Sequence, residues 1–389
     1  MKPKTPIYLD YAATTPVDAE VAKAMASCLT KEGNFANPAS RAHFFGWQAE
    51  AAVEKARGQL ASLLNADPRS LVWTSGATES NNLALKGLAF AQQGLAGRGK
   101  HIITSAIEHK AVLDPCIYLE KNGFDVTYLT PQKNGAVTLS QVQDAMRDDT
   151  IVVALMHVNN EVGAINPISE IAAYCRTRNV FLHVDAAQSV GKLPVDVKAL
   201  GAHTLSLSAH KFYGPKGMGA LYVQRDPQVS LSAQIHGGGH QRGMRSGTLA
   251  THQIVGLGLA AEIAQKQLVQ DMAHAKQLRT VFLAGLEPLS DVTRNGDEDQ
   301  AIDAIVNLSF VGVDGETLLT ALRDLAVSTG SACTSASVEP SYVLSALGVS
   351  PALAHASLRF SFGRYTTVAD VEYAAQKIVA TVTTLRARR

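Results

Sequence analysis

Residues 180–217 read VFLHVDAAQSVGKLPVDVKALGAHTLSLSAHKFYGPKG. Two short runs, Val180–Val184 and Thr204–Leu207, each lead into small or polar residues. Near-continuous apolar runs of this length predict strands buried on both faces of a mostly parallel sheet. In such sheets ligands bind beyond the carboxyl ends of the strands. Asp185 stands at the first of these ends and Lys211 just past the second, about one β-α-β step further on.

The same alternation extends outward in both directions. Further strand candidates are His101–Ser105, Val126–Leu129, Ile151–Met156 and Ala220–Val223, with helix candidates at Trp47–Leu64, Glu79–Gln92, Ala111–Lys121 and Ile168–Arg178. From about Thr251 the pattern becomes one long helix reaching Leu286, followed by a strand at Ala304–Phe310 and a final helix over Val368–Leu385. The fold class is therefore α/β. We expect a large domain over residues 17–262, a smaller α/β domain over 263–389, and an N-terminal arm, residues 1–16, that packs with the smaller domain. No internal repeat or low-complexity segment interrupts this plan.

Composition narrows the function classes. With 46% hydrophobic and 18% charged residues, the chain of 389 residues has the balance of a soluble globular protein. That length buries a core without disulfide or metal staples. A formal net charge of +1 gives no reason to expect nucleic acid or an anionic membrane as partner. The four cysteines, Cys28, Cys116, Cys175 and Cys333, form no C-x-x-C pair and have no histidine at metal-ligand spacing, so reduced thiols of a cytoplasmic protein are expected. The polar, proline-interrupted start has no signal h-region, and no apolar run approaches the ~20 residues of a membrane span.

Chemistry collects at the strand ends. In Ser206–Gly217 a strand gives way to His210-Lys211 and a glycine-rich turn, which places a lysine amine where it could form an imine with an aldehyde cofactor. Lys216, in the same segment, looks like an ordinary turn residue. Asp185 could hold a pyridinium nitrogen protonated, and Gln188 could reach a phenolic oxygen; a strand-end Asp can equally be a helix cap. Thr74-Ser75-Gly76-Ala77-Thr78-Glu79 is a strand-to-helix turn suited to a phosphate or to simple capping. His109 is an acid or base candidate near neutral pH. His157–Glu161 offers Asn160 as a polar contact.

Two glycine-rich runs are misleading. His236-Gly237-Gly238-Gly239 resembles an esterase oxyanion loop, yet no G-x-S-x-G elbow exists to complete it. Gly214, Gly217 and Gly219 give G-x-x-G-x-G, which is not the dinucleotide fingerprint. In the smaller domain, Ser328–Ser337 is a run of small residues around Cys333, a candidate reactive thiol on an exposed loop. Cys28, Cys116 and Cys175 fall in helical patterns and read as packing.

Taken together, these segments resemble the pyridoxal phosphate-dependent cysteine desulfurases of the fold-type I, class V aminotransferase group, closest to the bacterial housekeeping enzymes of iron–sulfur cluster assembly. The resemblance runs from Tyr8–Pro16 to about Arg364. It is carried by Asn37–Ser40, Thr74–Glu79, His157–Glu161, Ser208–Gly217, His236–Thr248 and Ser331–Ser335. It implies a seven-stranded sheet in the large domain, pyridoxal 5'-phosphate as cofactor and L-cysteine as substrate. By the same resemblance Lys211 is the Schiff-base lysine, His109 the ring-stacking acid/base, Asp185 the pyridinium partner and Gln188 the phenolate contact. Ala77, Thr78, Ser208 and His210 hold the phosphate, and Thr248 completes the site of a second subunit, which implies a homodimer. Asn160, also a cofactor contact, and Arg359 hold the substrate carboxylate, and Cys333 accepts sulfur as a persulfide and passes it to an iron–sulfur scaffold or a tRNA-thiolation relay. The resembling housekeeping enzymes extend roughly twenty residues beyond the position of Arg389 in a scaffold-docking tail, which leaves the acceptor open. Selenocysteine lyase is the alternative activity; a transaminase and a non-catalytic sulfur relay are weaker readings.

Overall fold

The computed structural model describes residues 6–93, 99–225, 229–329 and 340–388. The chain enters through β1 (Ile7–Tyr8), then α1 (Ala19–Ala26) and α2 (Phe44–Leu64). Next come β2 (Leu71–Thr74), α3 (Ala77–Gln93), β3 (His101–Ser105), α4 (Lys110–Glu120) and β4 (Asp125–Leu129). These are followed by α5 (Leu139–Ala145), β5 (Thr150–Met156), α6 (Ile168–Thr177), β6 (Phe181–Asp185), α7 (Val197–Leu200), β7 (Thr204–Ser208) and β8 (Gly219–Val223). The predicted strands and helices of this region are all present, with ends shifted by a few residues at most.

Seven strands form one sheet in the order β2-β8-β7-β6-β5-β3-β4. Only β8 runs against its neighbours, pairing antiparallel with β2 and β7. The carboxyl ends of β2, β3, β5, β6 and β7 therefore share one edge. Every residue of β2, β3, β5, β6 and β7 is buried, as expected of a sheet covered on both faces. The edge strand β4 is half open and carries polar side chains, which blunts further pairing.

α8 (Thr251–Ala284) then runs unbroken for 34 residues. Its first half contributes Ile254, Leu257, Ala260, Ala261 and Ala264 to the core of the large sheet. Its second half contributes Leu278 and Phe282 to another core, where Phe282 meets Phe360 at 4.9 Å and Phe362 at 5.5 Å between ring centroids. That second core is built by β9 (Val292–Asn295), β10 (Ile305–Phe310), α9 (Gly315–Ala321), β11 (Leu325–Ala326), β12 (Ser357–Ser361) and α12 (Val368–Arg386), while α10 (Tyr342–Ala346) and α11 (Pro351–His355) pack with Ile107 and Val162 in a smaller cluster. The sheet of the second core is antiparallel in the order β12-β10-β9. β1 pairs with β11, and Leu9 lies in this core, so the N-terminal arm is woven into it.

Candidate active site

The shared strand edge opens into a cavity of about 620 Å³. Its wall holds Ala77, Thr78, His109, Asn160, Asp185, Gln188, Ser208, His210, Lys211 and Arg359. Thus ten residues picked out from scattered segments converge on one space. Ser328 and Thr329 stand at its rim; Cys333 lies outside the described residues. Thr248 is not in this wall. It lines a second cavity of about 460 Å³ with Asn37, His240 and Arg242.

One corner of the cavity is made by the β2–α3 turn. Gly76 sits at φ +151°, a backbone state that side chains other than hydrogen rarely allow. Gly219 of β8 passes so close that an added Cβ would lie 2.5 Å from the Leu207 carbonyl oxygen and 2.6 Å from Gly76 Cα. The Ser75 N–H donates to Glu79 Oε2 at 2.7 Å, and Arg245 Nε holds Glu79 Oε1 at 2.7 Å, which fixes the turn. The first turn of α3 presents its N–H groups beside Thr78, Ser208 and His210, a ready anion seat. Burial, then Lys211, pushes the pKa of His210 down to about 4, so its ring is neutral.

Asp185 ends β6 with both carboxylate oxygens engaged. Oδ1 accepts from the Ala187 N–H at 2.9 Å and Oδ2 from Asn81 Nδ2 at 2.7 Å. Because Asn81 donates through Nδ2, its Oδ1 accepts, so His183 Nε2 is the donor of their 2.9 Å bond. His183 Nδ1 then accepts from the Thr204 hydroxyl at 2.9 Å. Burial holds the His183 pKa at about 4, which keeps the ring neutral in this tautomer. Asn81 and His183 therefore orient Asp185 from behind. Sequence reading missed both.

His109 caps α4: its Nδ1 accepts from the Ala111 N–H at 3.1 Å. Burial lowers its pKa, so the ring is neutral with its proton on Nε2. In this state His109 can give a proton from Nε2. To take one up there, it must first release the cap. Lys211 Nζ donates to the carbonyls of Ala12 and Ala13 at 2.7 and 2.8 Å, so the N-terminal arm forms part of the wall. Lys216 also lines the cavity, but from an exposed position.

Arg359 of β12 gives Nη2 to Asp10 Oδ1 at 2.7 Å and Nη1 to the Asn160 carbonyl at 2.8 Å. Its Nε and the buried Asn160 Oδ1 have no partner. Two orphaned polar atoms beside a guanidinium suit an incoming carboxylate once the Asn160 amide turns its NH₂ toward it. Glu161 is also in the wall; its Oε2 accepts from Ser341 Oγ at 2.5 Å, and burial pushes its pKa up to about 7.

The remaining cysteines are packing. Cys28, Cys116 and Cys175 are buried free thiols, and burial raises the pKa of Cys116 and Cys175 to about 12. Cys28 lies in the turn just past α1 rather than in a helix. Among the described residues no cluster of three or more His, Cys, Asp or Glu could hold a metal. No described helix is long and apolar enough to cross a membrane.

The family model for class-V aminotransferases matches residues 7–374, and the chain belongs to that family, whose members work with pyridoxal phosphate. Within it the chain belongs with the cysteine desulfurases. It is 59% identical over 384 residues to the cysteine desulfurase IscS of Vibrio cholerae, covering 99% of this chain and 94% of that one. The corresponding enzyme of Photobacterium profundum is 57% identical over 383 residues, covering 98% and 94%. Among solved structures, a NifS-like protein superposes with a TM-score of 0.90 at 35% identity, covering 98% of this chain and 100% of that one. The cavity fits the cofactor of this family: a lysine amine, a buried Asp behind it, and an anion seat at a helix N-terminus are the three contacts an aldehyde–pyridine–phosphate needs.

Proposed function

We propose that the chain converts L-cysteine to L-alanine, with Cys333 accepting the sulfur as a persulfide. The convergence of Lys211, His109, Asp185, Gln188, Asn160 and Arg359 on one cavity rimmed by Ser328 and Thr329 carries this reading. Pyridoxal phosphate, when bound, supplies the electron sink that makes the substrate's α-proton acidic. Lys211 would hold it covalently, Asp185 would face its ring nitrogen and Gln188 its phenolic oxygen. Thr78, Ser208, His210 and the Ala77 backbone would seat its phosphate. Arg359 and Asn160 orient the substrate carboxylate, since a guanidinium suits that bidentate task.

His109, neutral with its proton on Nε2, moves protons between substrate and thiol. The Cys333 thiolate attacks the substrate sulfur; the new S–S bond forms as the C–S bond breaks. The C–S electron pair stays with the β-carbon, which takes up a proton to give alanine. An ordinary thiol is only a few per cent thiolate near neutrality, so this proton traffic matters to the rate. Both flanks of the Cys333 segment are tied to the site: Ser328 and Arg359 exchange backbone hydrogen bonds, and Ser341 bonds Glu161.

The persulfide passes on to acceptor proteins that serve iron–sulfur cluster assembly or tRNA thiolation, in the cytoplasm. A homodimer is part of the reading. Thr248 lines a cavity separate from its own chain's active-site cavity, and Phe44 and Trp47 are 60% and 55% exposed, the kind of apolar surface an interface covers. We take residues 17–262 as the cofactor domain, with 1–16 as its arm to the smaller domain 263–389 that carries the loop 328–338. The decisive experiment follows alanine and sulfide formed from L-cysteine with and without reductant. Cys333→Ser should abolish sulfide release, and Lys211→Ala should abolish both products. Cysteine turnover that survives Cys333→Ser, with selenocysteine turned over faster, would instead identify a selenocysteine lyase.

A further inference from the structure

Lys192 has no place in the chemistry above, yet its amine points at the back of the site. It lies in the turn after β6, outside the main cavity, beside a small separate cavity formed with Tyr11, Tyr213 and Asp271. Its Nζ donates to Gln188 Oε1 at 2.6 Å. The other side of that amide, Nε2, donates to the Ala12 carbonyl at 2.8 Å, the same oxygen that accepts from Lys211 Nζ at 2.7 Å. Gln188 is buried, so this arrangement is not one of many surface rotamers.

Burial, then Lys211 and Arg359, holds the Lys192 pKa well below the ordinary lysine value; while the amine carries its protons it offers donors only. The Gln188 atom facing it must therefore be the oxygen, and the NH₂ must face the arm and the cavity. An isolated glutamine amide has no such preference, because its two ends are nearly the same shape. We propose that Lys192 is a positioning residue that locks the Gln188 amide with its NH₂ turned toward the cavity, so that Gln188 meets the cofactor's phenolic oxygen as a donor. The inference rests on the assignment of Gln188 as that contact. Without Lys192 only the Ala12 carbonyl still favours the NH₂ on the cavity side, and the amide is held in this orientation less firmly.

The consequence is spectroscopic. A donor at the phenolic oxygen favours its anionic form, the form that prevails once the linkage to Lys211 has lost its proton. Lys192, acting through Gln188, thus lowers the pH midpoint of the cofactor's visible band. The other charged or titratable groups lining the Lys211 cavity are Asp10, Glu79, His109, Glu161, Asp185, His210, Lys216 and Arg359. His210 feels the Lys192 charge directly, and that direct effect, unlike the one routed through Gln188, persists when Gln188 is replaced.

The test is a pH titration of the visible absorbance of the pyridoxal phosphate-loaded protein. Lys192→Met should raise the midpoint by about one unit, the scale of a hydrogen bond gained or lost by a charged form. Gln188→Leu should raise it as well, and adding Lys192→Met to Gln188→Leu should produce little further shift. Lys192→Gln, which keeps a donor, should shift it less than Lys192→Met, and it supplies the reading if Lys192→Met does not fold. A wild-type midpoint in any folded Lys192 variant overturns the proposal, as does a Lys192→Met shift that persists in full with Gln188→Leu. A Gln188→Leu protein with an unmoved midpoint would instead remove the Gln188 contact itself, a separate failure.

Discussion

At the scale of single residues, the guanidinium of Arg359 already holds a carboxylate, that of Asp10 at 2.7 Å. L-cysteine must compete with it. Asp10→Asn removes the competing charge, and we expect the KM for L-cysteine to fall roughly three- to tenfold with a smaller change in kcat, since about 1 kcal/mol is typical of one such bond. Steady-state kinetics decides; a raised KM would show that Asp10 aims Arg359 rather than competing for it. Glu161 makes a different prediction. Burial raises its native pKa to about 7, so between the ordinary carboxyl value and that figure the native state binds the extra proton. Its stabilising effect is complete below the unfolded pKa and is lost as pH rises through about 7. Glu161→Gln should flatten this slope and gain on the order of 3 kcal/mol over the wild type at pH 8, read by denaturant melts at pH 5 and 8. Lys211, Asp185 and Gln188 were legible because each stands where a buried strand runs out. Asp10, Asn81, His183 and Lys192 were not, because nothing local marks them. Asn81 meets Asp185 across 104 residues of sequence, and only the packing of α3 on β6 makes it part of the site.

Elements show the same division between local and tertiary signals. The long helices and the apolar strands of the large sheet declared themselves by period and composition. β2 showed only as the strand side of the Thr74–Glu79 turn, and β9 and β12 not at all: β9 is a polar, half-open four-residue strand, and β12 alternates Leu358 and Phe360 with Arg359 in too short a run to be decisive. The short helices α9, α10 and α11 are at most seven residues long and too brief for a helical period to show. Gly219, in the G-x-x-G-x-G run that is not a dinucleotide fingerprint, has a clear physical role, since it lets β8 pass against the β2–α3 turn. Gly219→Ala pushes a methyl into Gly76 and the Leu207 carbonyl, and overpacking of this kind costs typically 1–3 kcal/mol. We expect weaker retention of pyridoxal phosphate on dialysis, followed by its visible absorbance, with the melting temperature lowered by a few degrees. Full retention would mean that the turn yields without disturbing the anion seat.

For the whole molecule, the position of Thr248 leads to a mixing experiment. Lys211→Ala and Thr248→Ala chains should each be impaired alone. Refolded or co-expressed together they should form mixed dimers in which one site has both residues intact, recovering activity that neither parent shows. No recovery would place Thr248 outside the partner's site. α8 bears on the molecule in another way. At about 1.5 Å per residue it is about 51 Å long, and its two halves belong to different cores. A chain of this size ordinarily melts piece by piece. Here neither core can come apart without releasing side chains of a helix that the other still needs, so calorimetry should show one endotherm, its van't Hoff and calorimetric enthalpies in agreement. Phe282→Ala, a loss of about 3–5 kcal/mol from the second core, should move that single peak to lower temperature and not split it. A shoulder splitting from the peak would mean that α8 frays at its middle and lets the two cores melt separately.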